Sequence, residues 1–242
     1  MQQELEQAIV QSEGSLSKTF IFIAACVSLL LIIYRSHRLP SYVFRKCLHI
    51  VAFSLVCFII ASAQSWKVVS IAALILTVLI YPLLAFFEGK DYFTRFFVEK
   101  EPGEIKLSFV LLFLMLAGVN FLGWGLFGKK ELAICSILMW GVGDAAAALV
   151  GIPFGRHKAR LKIAGKELTD GKKSWEGSGA MALAAFTCGL IVLTGSRWAL
   201  QKAIFLALPG ALAASISELL SPSEYDTITV PFAVLLTLLI FA

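Results

Sequence analysis

Apolar runs close to the length of a bilayer crossing recur from end to end of this chain, and no other feature constrains its fold as tightly. An α-helix needs about 20 apolar residues to traverse ~30 Å of hydrocarbon. Runs near that length cover about 19–34, 47–63, 67–87, 107–127, 131–150, 178–195, 199–217 and 228–242. Hydrocarbon offers the backbone no partner, so each run must satisfy its hydrogen bonds within itself, as a helix. The expected fold is therefore all-α, a polytopic integral membrane helical bundle of seven or eight transmembrane helices, the last one short and ending at Ala242. With 59% hydrophobic and 15% charged residues, a water-soluble domain is excluded. Residues 19–242 read as a single membrane-embedded domain, preceded by a polar tail at 1–18. That tail carries Glu4, Glu6 and Glu13 in place of the basic stretch of a cleavable signal peptide. The five cysteines (26, 47, 57, 135 and 188) lie in or beside apolar runs without a C-x-x-C pair, as small core fillers do.

The net charge of +5 is distributed by loop, and it points to topology, not to nucleic acid. Arg35, Arg38, Arg45 and Lys46 fall between the first two runs, and Lys90, Arg95, Lys100 and Lys106 between the third and fourth. Arg156, Lys158, Arg160, Lys162, Lys166, Lys172 and Lys173 fall between the fifth and sixth. The alternate stretches hold only Lys18, Lys67, Lys129, Lys130, Arg197 and Lys202. By the positive-inside rule the first set faces the cytoplasm and the amino terminus lies on the opposite side. Loop 218–227, with Glu218, Glu224 and Asp226, then joins the basic loops on the cytoplasmic face, where soluble nucleotides and Mg²⁺ are found.

Several constellations carry chemistry beyond topology. Asp144, in "WGVGDAAAALVGIPFGR", sits within an apolar run, where a charge is costly and marks a function or a partner. Small neighbours such as Gly141, Ala145 and Ala148 admit a close helix, and Gly151 and Gly155 read as a bendable exit towards Arg156 and Lys158. An acid beside a basic, glycine-containing loop suits Mg²⁺–phosphate binding. "GKELTDGKKS" is not a P-loop: its glycines are one residue too far apart, Lys173 stands where Ser or Thr belongs, and no strand is expected before it. Gly171 still allows close backbone approach, Lys172 and Lys173 supply charge, and Ser174 opens a helix whose free N–H groups favour an anion. Glu176 is unexplained by topology. In "SELLSPSEYDTITVP", Glu218 and Asp226 are candidate metal ligands with Asp144, in a loop bracketed by Pro222 and Pro231. In "FRKCLHI", Arg45 and His49 share a helix face at i and i+4, and His49 can move a proton near neutral pH.

Taken in order, R-K-x-x-H (Arg45, Lys46, His49), G-D-A-x-A with G-x-x-x-G-R, K-K-S-x-E-G and D-x-x-T-x-P resemble the polyprenol kinase family, over about residues 44–231. That family contains dolichol, phytol and farnesol kinases and CTP-dependent diacylglycerol kinase, and is related to phosphatidate cytidylyltransferase. The resemblance implies a membrane enzyme that moves the γ-phosphate of CTP onto a lipid alcohol with Mg²⁺ or another divalent cation. It implies a nucleotide–metal site lined by Asp144, Lys172, Lys173, Ser174, Glu176, Glu218 and Asp226. Arg45, Lys46 and Arg156 are assigned to the nucleotide, and Asp144, Glu218 and Asp226 to the metal. The catalytic set is Asp144, Lys172, Lys173 and His49, with His49 or a carboxylate as base. Thr227 departs from the family, standing where many members carry Asn. A cytidylyltransferase, attacking the α-phosphate from phosphatidate, would use the same residue types. A transporter is the reading from a different class, and no inverted repeat supports it.

Overall fold

Each long apolar run within the described part of the chain forms a helix. The structure, a computed structural model, describes residues 28, 40–87, 104–160, 162–163, 166–167, 169, 171–222 and 225–242. The polar tail 1–18, the first expected span at 19–34 apart from residue 28, the basic residues of 88–103 and Glu224 lie outside the described residues. In chain order the helices are α1 (Ser41–Ser62), α2 (Trp66–Phe87), α3 (Glu104–Val119), α4 (Lys130–Phe154), α5 (Trp175–Gly195), α6 (Leu200–Leu220) and α7 (Asp226–Phe241). Past Val119, α3 continues as a π-helix over Asn120–Leu126. Six of these are long and apolar enough to cross a membrane; α7 is apolar but shorter. The all-α membrane bundle expected from the sequence is what the chain adopts.

Helix α4 is the hub. Half of its apolar window is buried, against 17% for α1 and for α2. It packs on α1, α5, α6 and α7, with α3 and α6 each also against α7, and α2 against α3. Fully buried Met115, Leu132, Ile137, Met139, Met181, Leu206 and Leu238 fill the space among these helices. On α2, Ile71, Leu74, Ile75, Val78 and Leu79 are exposed at helical spacing, an apolar stripe suited to lipid. At the end of the bundle opposite the expected site, Lys130 donates to Ala61 O and Ala63 O at 2.6 Å and closes the last turn of α1. Lys130 also lies over Trp124, and Lys129 and Lys202 over Trp198, as in the aromatic–basic belt of a membrane interface.

Some details differ from the sequence reading. Helix α4 runs on past residue 150 to Phe154, so Gly151 lies inside it, and only Gly155 marks the exit. Gly151 serves packing: a Cβ there would lie 3.1 Å from Ser174 Oγ and 3.4 Å from Gly177 Cα. Pro231 is buried inside α7 and does not bracket the preceding loop. A small antiparallel ladder, β1 (Lys162–Ile163) with β2 (Lys166–Glu167), does precede Gly171, although two residues per strand are far from the strand of a P-loop.

Candidate functional site

The site is assembled where five helix ends meet: the first half of α1, the second half of α4, the start of α5, the end of α6 and the start of α7. Asp144 projects from α4 towards α1. Lys46 Nζ donates to its Oδ2 at 2.6 Å, and His49 Nε2 stands 3.4 Å from the same oxygen. Lys46 and His49 are three residues apart on α1, so one helix face presents both to one carboxylate. Burying the acid at this depth is possible because α1 brings the compensating charge.

A second pair lies across α5 and α6. Lys173 Nζ donates to Glu218 O and, at 2.8 Å, to Ser221 O, and stands 3.3 Å from Glu218 Oε1. It therefore closes the carboxyl end of α6, where carbonyls lack partners and the helix dipole favours a cation. Asp226, at the first turn of α7, lies within electrostatic reach of both pairs: Asp144 and Glu218 repel its carboxylate, and Lys173 and Lys46 attract it. Thr227 donates to it at 3.4 Å, so the residue that departs from the family pattern supplies a hydroxyl. Among the described residues no cation forms an ion pair with Asp226. Among them, too, no three His, Cys, Asp or Glu side chains are grouped closely enough to hold a metal ion. The three expected metal ligands are therefore not gathered into one three-ligand group: Asp226 lies within electrostatic reach of the other two, and Asp144 and Glu218 are each engaged by a lysine. Mg²⁺ is commonly held by one or two carboxylates, its remaining positions taken by phosphate oxygens and water. Asp226 with Asp144 fits that pattern, being all-oxygen and negatively charged.

The basic loop is a closed excursion. Its two ends pair as extended chain: Ala159 N donates to Lys173 O and Trp175 N to His157 O, both at 3.0 Å. Inside it, Thr169 Oγ1 donates to Ala159 O at 2.6 Å. Gly171 has φ +68°, a conformation that favours glycine. Among the described residues only Arg160 Nε, at 3.9 Å, lies near a Cβ built there, so the glycine serves the turn and not close packing. Lys158 Nζ donates to Lys172 O at 3.1 Å, and the Lys172 side chain is exposed.

Ser174 and Glu176 have structural tasks that the sequence did not specify. Ser174 caps α5 by accepting from Gly177 N at 3.2 Å, and it is buried. Its expected place at a helix start holds, while its hydroxyl is turned into the helix. Glu176 Oε1 accepts from Arg156 N at 3.2 Å and His157 N at 3.1 Å, and lies 2.7 Å from His157 Nδ1. It latches the exit of α4 to the start of α5, leaving the Arg156 side chain exposed. Arg45 is exposed at the same end. Sequence reasoning missed His157 and Trp140, whose ring meets His49 edge-on at 5.7 Å between centroids. A tryptophan one turn before a membrane aspartate was the available signal.

Comparison with known proteins finds no matching family model, no matching curated protein and no matching solved structure. Fold and cluster together define a class: a polytopic helical membrane protein that gathers acids and bases of both signs at one end of its bundle.

Proposed function

We propose that this protein is a CTP-dependent lipid kinase, transferring the γ-phosphate of CTP to a lipid alcohol (a polyprenol, phytol or diacylglycerol) at the cytoplasmic face. The observation that carries this reading is the meeting of two lysine–carboxylate pairs, Lys46–Asp144 and Lys173–Glu218, around Asp226 and beside the basic loop. Phosphoryl transfer needs positioning and electrostatics more than covalent chemistry, and such a cluster provides both. In the reaction the lipid hydroxyl oxygen bonds to the γ-phosphorus. The bond from that phosphorus to the β–γ bridging oxygen breaks, CDP leaves with the electron pair, and the hydroxyl proton passes to a base. His49, beside Asp144, is the candidate base. Exposed Lys172 and Arg156 meet the triphosphate from the loop side. Lys173 reaches a phosphate by exchanging its α6 acceptors for phosphate oxygens. A divalent ion, when bound by Asp144 and Asp226, supplies charge neutralisation at the phosphates.

The test is CTP labelled at the α or the γ position, incubated with the purified protein, Mg²⁺, lipid alcohols and phosphatidate. Movement of the γ label onto an alcohol is the expected result. Movement of the α label onto phosphatidate instead makes the protein a cytidylyltransferase and overturns the proposal.

A further inference from the structure

Two ring nitrogens next to Asp144 are buried and make no hydrogen bond among the described residues, His49 Nε2 facing Asp144 Oδ2 at 3.4 Å outside hydrogen-bonding geometry. Trp140 is 3% exposed, and neither its Nε1 nor His49 Nε2 meets a protein acceptor or donor in hydrogen-bonding geometry. Both rings belong to one packed group. His49 meets Trp140 edge-on, and Phe53 packs against both, with centroids 4.5 Å from His49 and 4.7 Å from Trp140. Trp140 stands four residues before Asp144 on α4 and so shares its face. His49 bridges the two, touching the Trp140 ring and lying 3.4 Å from Asp144 Oδ2.

A buried polar atom without a partner costs about 1–3 kcal/mol, and native structures keep few of them. The indole N–H only donates, and an imidazole nitrogen accepts in one of its neutral tautomers. A single group that completed both rings would accept from the indole and donate to the imidazole, and would have to be small enough to enter a packed aromatic wall. A hydroxyl has that chemistry. Trp140 lies one turn further than Asp144 from the loop end of α4, so a ligand here meets Asp144 from the hydrocarbon side. A nucleotide held by the loop meets it from the other.

We infer that Trp140 and His49 form the acceptor subsite for a long-chain alcohol, whose hydroxyl accepts from the Trp140 indole N–H and donates to His49 Nε2. The identity of the ligand rests on the lipid-kinase reading; the unfilled pair of ring nitrogens does not. Phe53 supplies the apolar wall, and the hydroxyl is thereby held next to Asp144.

The test uses the full chain in detergent micelles with ¹⁵N-labelled indoles, the Trp140 resonance being identified by its absence from Trp140→Phe. Phytol is expected to shift that resonance, and phytane, the corresponding saturated hydrocarbon, to leave it in place. An equal response to both, or a response to neither, overturns the subsite. In Trp140→Phe the KM for phytol is expected to rise about tenfold, the loss of one hydrogen bond of ~1.4 kcal/mol, with the KM for CTP unchanged. An unchanged KM for the alcohol also overturns it. If phytol shifts the indole while no label reaches any alcohol, the subsite stands and the kinase reading falls.

Discussion

Replacing Lys173 by Met tests whether the α5–α6 tie is an electrostatic unit. The ammonium serves three acceptors on one helix end, Glu218 O, Ser221 O and the Glu218 carboxylate. The two side chains are only 11% and 10% exposed, so water screens the pair weakly. Removing one partner of a buried pair costs about 3–5 kcal/mol, because the other charge is stranded. The lower end applies here, since helices unfolded within a micelle still find partners for their polar groups. We expect Lys173→Met to cost about 3 kcal/mol, and about 1 kcal/mol in a Glu218→Gln background, where no carboxylate loses the ammonium's charge. The coupling in the double-mutant cycle is then about 2 kcal/mol. Unfolding by sodium dodecyl sulfate in mixed micelles, followed by tryptophan fluorescence, gives all four corners. Additive costs would refute the reasoning, showing that Lys173 acts through the α6 carbonyls and packing and not through the Glu218 carboxylate.

Gly177→Ala should destabilise by about 1–3 kcal/mol, because its Cβ would sit 2.9 Å from the Ala147 carbonyl, which cannot retreat without moving α4. Gly179→Ala, two residues on with nothing within 4 Å of its Cβ, should be neutral or stabilising by up to about 1 kcal/mol. The same micelle titration compares the two, and equal effects would contradict the close α4–α5 contact. Ser174→Ala removes the cap of α5 and should cost about 1 kcal/mol in that assay. Asp144→Asn should slow γ-phosphate transfer by about 100- to 1,000-fold, the usual loss when one electrostatic stabiliser is removed from an active site. A variant that transfers label at the parental rate would remove Asp144 from the mechanism.

The helices were legible because the bilayer enforces a rule with few exceptions: apolar length becomes helix. Their ends were less legible, and for one physical reason. The apolar run of α1 was read from residue 47, with Arg45 already on its helix face, and the helix begins earlier still, at Ser41. Lys46 can stay helical since Asp144 neutralises it from another helix, 98 residues along the chain. The same applies to α4, which continues through Gly151 because Ser174 and Gly177 need that gap. Local hydropathy places the middle of a span, while partners distant in sequence decide where it ends.

The site divides in the same way. That the acids and the basic loop occupy one end followed from the alternation of charge along the chain, and the pairs Lys46–Asp144 and Lys173–Glu218 agree with it. Which group each charge serves was not legible, because a sequence lists charges without their distances. Glu176 is the clearest case. Placed by motif on the nucleotide, it holds the backbone N–H groups of Arg156 and His157 and so sets the shape of the loop. Lys173 shows the converse. It lies in the basic run expected to bind phosphate, yet its acceptors are the carbonyls of α6, so an incoming anion must compete for it. A site whose lysines already neutralise its carboxylates keeps buried charge tolerable without ligand. On the lipid-kinase proposal, it would gain from a bound metal–nucleotide only by exchanging partners, carboxylate for phosphate on the lysine and lysine for metal on the carboxylate. Asp226, repelled by both acids and paired with no cation among the described residues, is where that exchange would begin.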